Sequence, residues 1–128
     1  MLICVDFDGT CVTHQYPNIG EDLPGVVDVL KDFILNGHQI ILYTMRSGAE
    51  LQQAVEWFKL RDIALYDVNH SPGQEQWTSS PKVYSHMYID DAALGCPLIQ
   101  NLGERAFVDW KRVREILVGD GTLQDRRK

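Results

Sequence analysis

The sequence predicts an α/β domain: a doubly wound, Rossmann-like parallel sheet with helices on both faces and no separate cap domain. Short apolar runs alternate with stretches of helical periodicity. Each run is apolar throughout, as strands covered on both faces are, and ends in polar or acidic residues. At 128 residues, with 45% hydrophobic and 23% charged side chains, the chain fits one soluble domain with a sizeable core.

Leu2-Ile3-Cys4-Val5 reads as a buried strand ending at Asp6, with Gly9 soon after. Residues 14–23 are polar, with Pro17, Asn18 and Gly20, and read as a loop. Pro24 can open a helix that carries Val26, Val27, Leu30, Phe33 and Ile34 on one face and stops at Asn36-Gly37. Ile40-Ile41-Leu42-Tyr43 is a second strand, ending at Thr44. Ser47 and Glu50 have capping-box spacing before a helix striped by Leu51, Ala54, Val55 and Phe58. Ile63 to Tyr66 is a third strand. Residues 69–81 carry two prolines and form a long loop, and Met87-Tyr88-Ile89 is a fourth strand before Asp90-Asp91. Phe107 to Leu117 is the last helix, ended by Gly119 and Gly121. The expected domain is 1–120, with 121–128 a flexible tail ending in Arg126-Arg127-Lys128.

A formal charge of −6 argues against a broad nucleic-acid-binding face, although phosphorylated nucleic-acid ends stay open as substrates. Cys4, Cys11 and Cys96 are odd in number and lack metal-ligand spacing, so reduced thiols in a cytoplasmic protein are expected. No apolar stretch is long enough to span a membrane, and no signal peptide is evident at the N-terminus. His14, His38, His70 and His86 are scattered and read as solvated or turn residues. Trp57, Trp77 and Trp110 read as packing residues, with the loop around Trp77 a candidate lid.

In open parallel sheets, ligands sit at the carboxyl ends of the strands. Here those ends hold Asp6-Phe7-Asp8-Gly9-Thr10, Thr44 and Asp90-Asp91. Four carboxylates brought to one rim would repel, and a hard divalent cation relieves that. Oxygen ligands without a His/Cys cluster favour Mg²⁺ over zinc.

On these residues the chain resembles the haloacid dehalogenase superfamily of phosphotransferases. Asp6-Phe7-Asp8-Gly9-Thr10 matches its first motif, Thr44 after the second apolar run its second, Lys82 its third and Tyr88-Ile89-Asp90-Asp91 its fourth. The resemblance covers residues 1–97, and the residues after Cys96 add nothing to it. It implies a small, uncapped, Mg²⁺-dependent phosphatase. Asp6 would take the phosphoryl group as an aspartyl-phosphate. Asp8 would act as general acid and base. Thr44 would donate to a phosphoryl oxygen, and Lys82 would neutralise charge on Asp6 and the transferring group. Asp6, Asp8, Asp90 and Asp91 would form the metal site, with Asp8 contributing its backbone carbonyl. Gly9, Thr44, Arg46 and Lys82 are the substrate-side candidates.

Bland readings stand beside these roles. Asp6 and Asp8 could be a strand end with an ordinary turn, and Asp90-Asp91 a helix N-cap pair. Arg46 and Lys82 would by default be solvated. The alternatives for the whole chain are a receiver-like phosphoacceptor module, or a non-catalytic scaffold of the same shape. The spacing between motifs leaves no room for a cap domain. By analogy with the superfamily, that implies a large phosphorylated substrate or a lid borrowed from a partner subunit, as in a homo-oligomer.

Overall fold

In the computed structural model of the chain, which describes residues 1–125, four of the apolar runs pair as one parallel sheet. Its strands are β1 (Leu2–Val5), β2 (Gln39–Leu42), β3 (Leu65–Val68) and β4 (Met87–Ile89), in the order β3-β2-β1-β4. Val5 stands beside both Leu42 and Ile89. That register brings Asp6, Tyr43 and Asp90, the next residue of each strand, abreast on one rim. The chain steps outward from β1 to β2 to β3, then returns to place β4 on the other side of β1. The order therefore reverses between β1 and β4, and such a switch point opens a crevice at the strand ends.

Strand side chains alternate between the two faces. Ile3, Val5, Ile40 and Leu42 join the main core, while Cys4 and Ile41 join a smaller cluster with Val83. Successive right-handed crossovers in one direction place their helices on one face. In agreement, α1 (Val26–Leu35) and α2 (Gly48–Leu60) both send buried side chains into the main core, as does α3 (Trp110–Gly119). In α1 these are Val26, Val29, Leu30 and Phe33, one face of a 3.6-residue period. The return crossover from β3 to β4 covers the other face with Val83 and only a 3₁₀ turn, Gln74–Gln76. Both faces are covered, as expected, but the second one by a loop rather than an α-helix. No described helix is long and apolar enough to cross a membrane.

The third strand begins at Leu65 instead of Ile63, because Ile63 belongs to the end of α2. Asp62 adopts a left-handed φ of 55°, and the Ile63 amide donates to the Phe58 carbonyl at 3.0 Å. This is a Schellman closure, with a buried Ile63 as its apolar contact. Ser47 occupies the N-cap position of α2 but makes no side-chain cap, so the expected capping box is not formed. Residues 107–117 are not one helix. Leu98–Ile99 (β5) and Phe107–Val108 (β6) pair as an antiparallel hairpin, and α3 starts only after Asp109, whose carboxylate caps the Arg112 amide.

The expected tail boundary at 120 is also corrected. Leu123 is buried, its amide donates to the Leu117 carbonyl at 3.0 Å, and the Gln124 amide donates to Asn36 Oδ1 at 3.2 Å. The Arg126-Arg127-Lys128 run lies outside the described residues.

Trp110 joins the C-terminal helix to the rim. It is fully buried, and its indole N–H donates to the Thr10 carbonyl at 2.6 Å. Trp110→Phe keeps an aromatic ring but removes the indole N–H, so it strands that buried carbonyl and leaves a small void. We expect a loss of about 1–3 kcal/mol in urea unfolding; a loss below about 0.5 kcal/mol would show that the bond contributes nothing.

Candidate active site

Asp6, Asp90 and Asp91 meet at the switch point, each offering a carboxylate oxygen within 4.8 Å of the others. Three links hold the arrangement. The Asp6 amide donates to the Ile89 carbonyl at 3.0 Å, extending the ladder into the site. The buried Thr10 hydroxyl donates to Asp6 Oδ2 at 3.1 Å and accepts the Asp91 amide at 3.1 Å. Asp90 Oδ1 accepts the Ala92 amide at 2.8 Å. Residues 91–95 form turns rather than a helix, so Asp90-Asp91 is not a helix cap.

Gly9 makes the sharp turn after the acidic pair, with φ of 80°. A Cβ there would stand 2.2 Å from the His14 ring and 2.5 Å from Asp91 Oδ2. His14 occupies this space: its Nε2 lies 3.0 Å from Asp91 Oδ2 and 3.3 Å from the Ala106 carbonyl. His14 is thus a site residue and not a solvated one.

Burial, and then the adjacent Asp90 carboxylate, push the Asp6 carboxyl up to about 8. Among the described residues no lysine or arginine pairs with Asp6, Asp90 or Asp91. Three carboxylate oxygens this close, with His14 on Asp91 but no lysine or arginine among them, could hold a hard divalent ion such as Mg²⁺, whose ligands sit at about 2.0–2.1 Å. Cys11, fully buried below, donates its thiol to the Asp6 carbonyl at 3.4 Å; burial holds that thiol well above its ordinary pKa, so it packs and does not react.

Asp8 departs from the expected arrangement. Its carboxylate is outside the acid cluster and is gripped by Arg46, Nε to Oδ2 at 2.8 Å and Nη2 to Oδ1 at 2.7 Å. The remaining Arg46 donors reach the carbonyls of Pro17, Glu50 and Asn18 at 3.2, 3.2 and 2.8 Å. All five N–H groups of the guanidinium are therefore engaged. Arg46 is only 3% exposed, and its guanidinium lies over the rings of Phe7 and Tyr16 at 5.1 and 5.2 Å. It is neither a solvated arginine nor one with a donor free for phosphate. It is the clamp that fixes Asp8, the 14–23 loop and the first turn of α2 together.

Thr44 lines the same cleft as Asp6 and Asp8, about 550 Å³ in volume. Its oxygen accepts the Arg46 amide at 3.2 Å, which leaves the hydroxyl proton free to donate. Lys82 lines a neighbouring cleft of about 310 Å³ shared by Asp6 and Asp90, with its ammonium 5.6 Å from the Tyr88 ring centre. It forms no ion pair with Asp6. Trp77 is not a lid. Its ring meets Tyr84, Tyr84 meets His86, and His86 accepts the Leu2 amide at 2.8 Å, at the end of β1 remote from Asp6.

The chain is similar to a solved structure, that of a conserved protein from Bacteroides thetaiotaomicron. The two share 35% identity over 94% of this chain and 91% of that one, with a TM-score of 0.75. No protein-family model and no curated protein matches.

Two predictions follow from this geometry. Arg46→Ala leaves a part-buried Asp8 charge without its partner and should cost about 3–5 kcal/mol in chemical denaturation. Arg46→Lys should recover less than half of that, since an ammonium cannot form the fork; full recovery would reduce the clamp to simple charge. The second concerns pH. Folded Asp6 holds its proton up to about 8, against about 3.9 for an unfolded aspartate. The metal-free chain should therefore lose stability as pH rises between those values, and saturating Mg²⁺, which favours the ionised carboxylate, should offset the loss. Thermal melts in chelator and in Mg²⁺ test this; a metal-free Tm that does not fall across that window would contradict it.

Proposed function

For this chain, which belongs to the same family as the conserved Bacteroides thetaiotaomicron protein, we propose a Mg²⁺-dependent phosphomonoester hydrolase of the haloacid dehalogenase type, with Asp6 as nucleophile. The observation that carries this reading is the convergence of Asp6, Asp90 and Asp91 at the switch point, with Asp6 facing two open clefts. Mg²⁺ held by Asp6, Asp90 and Asp91 would supply charge neutralisation that lets the anionic Asp6 meet an anionic phosphate.

A carboxylate oxygen of Asp6 forms the bond to phosphorus as the bond to the leaving oxygen breaks. The Thr10 hydroxyl fixes Asp6 Oδ2, leaving Oδ1 as the attacking atom. Thr44 donates its hydroxyl proton to a phosphoryl oxygen, and Lys82 reaches over from the neighbouring cleft to the same group. Asp8 gives the leaving oxygen its proton and later takes one from the water that hydrolyses the aspartyl-phosphate. As a base, Asp8 can accept through a second lone pair while Arg46 holds it. As an acid it must first turn out of the Arg46 fork, into the cleft it already lines.

That fork favours a second reading: a phosphoacceptor in which Asp6 is phosphorylated but Asp8 returns phosphate to water slowly. Turnover separates the two. With Mg²⁺ present the protein should hydrolyse para-nitrophenyl phosphate, and Asp6→Asn should lower the rate by more than about 10³-fold with no loss of Tm. Near-normal turnover in Asp6→Asn, or undiminished rates in chelator, would remove Asp6 and the metal from the mechanism. A single-turnover burst with phosphate retained on Asp6 would support the phosphoacceptor.

A further inference from the structure

The β5–β6 hairpin holds none of the phosphoryl-transfer residues, yet it is stitched to the loop that does. The Val108 amide donates to the Gly9 carbonyl at 3.0 Å, and the Ala106 carbonyl lies 3.3 Å from His14 Nε2. Asp109 closes the hairpin base, its amide 2.9 Å from the Pro97 carbonyl. Arg105, one residue before Ala106, is thereby carried to the rim of the cleft that contains Asp6, Asp8 and Thr44.

The two arginines of this cleft are opposites. Arg46 is buried with every donor engaged, as described above. Arg105 is exposed, and among the described residues its guanidinium has no hydrogen bond and no ion pair. Four aspartates line the same cleft, and none has drawn Arg105 to itself. A guanidinium presents a planar fork of donors that matches a carboxylate or a phosphate. Tyr16 and Met45, 62% and 98% exposed, line the cleft as well and offer apolar contact to a substrate body.

We infer that Arg105 determines substrate specificity by binding a second oxyanion, one carried on the leaving group of the phosphomonoester. The substrate class is then a small doubly anionic ester: phosphate at the Asp6 end, and a carboxylate or second phosphate at the Arg105 end. This rests on the reading of Asp6 as phosphoryl acceptor, so the test reads binding and not turnover.

Calorimetry in Mg²⁺ would compare benzylphosphonate, para-carboxybenzylphosphonate and para-xylylene bisphosphonate, which share a body and a reacting-end anion. The wild-type protein should bind at least one of the two doubly anionic ligands about tenfold or more tighter than benzylphosphonate, the scale of a charge-assisted bond. Which of them gains identifies the second anion as carboxylate or phosphate. In Arg105→Ala that gain should fall to within about twofold of none, and Arg105→Lys should recover part of it. A gain that survives in Arg105→Ala, or no gain in the wild type, overturns the inference. Should Asp6→Asn leave turnover intact while the Arg105-dependent gain persists, the reading of Asp6 as phosphoryl acceptor fails and the anion site stands.

Discussion

Three carboxylates confined to one small volume are the constraint around which this molecule is organised. Asp6, Asp90 and Asp91 come from strands that are neighbours in the sheet but more than eighty residues apart in the chain. Burying Asp6, and then placing it beside Asp90, is electrostatically costly, and the cost is visible in the upward displacement of the Asp6 carboxyl. The surroundings hold them in place regardless. The Thr10 hydroxyl ties Asp6 to the Asp91 backbone, and Trp110 ties the Thr10 carbonyl to the C-terminal helix. A hard cation is a partner that such a donor set could hold.

Asp8 obeys a different solution to the same problem. Instead of joining the cluster, its charge is neutralised within the protein by a buried guanidinium. The loop after β1 therefore separates its two acids into different environments, one in a carboxylate cluster that could hold a metal and one paired with Arg46. Separation of two nearby carboxylates by environment is how acid and base roles are commonly divided. The clamp also couples chemistry to architecture, because the same guanidinium fastens the 14–23 loop and the start of α2.

The open rim follows from the topology. The connection from β2 to α2 is short, the longer one from β1 to α1 is held down by Arg46, and the long β3–β4 crossover packs on the second face of the sheet without closing over the site. The β5–β6 hairpin is the element added at the rim, bonded to Gly9 and His14. It borders the cleft without closing it, so a ligand entering there would meet side chains on the edge, such as Arg105, Tyr16 and Met45.

Strand order aside, the fold class was legible from the chain, because apolar runs and helical stripes are local patterns that burial on both faces imposes. The strand-end acids were legible for the same reason: Asp6 and Asp90 directly follow runs that had to be strands. Their convergence was an inference from parallel pairing, and the register of Val5 with Leu42 and Ile89 realises it. What no local pattern marks are contacts between distant segments. Arg46 looks like any polar residue after a strand, and only the folded chain surrounds it with five acceptors. His14 left one faint trace, the need for glycine at position 9. The β5–β6 hairpin and the closure of α2 by Ile63 were misread because apolar residues there serve pairing and capping instead of helical or strand periodicity. Sequence alone determined which groups could do chemistry, since residue type and spacing are written in it. Tertiary structure decided which of them meet and which are neutralised, since charge pairing depends on distance through space.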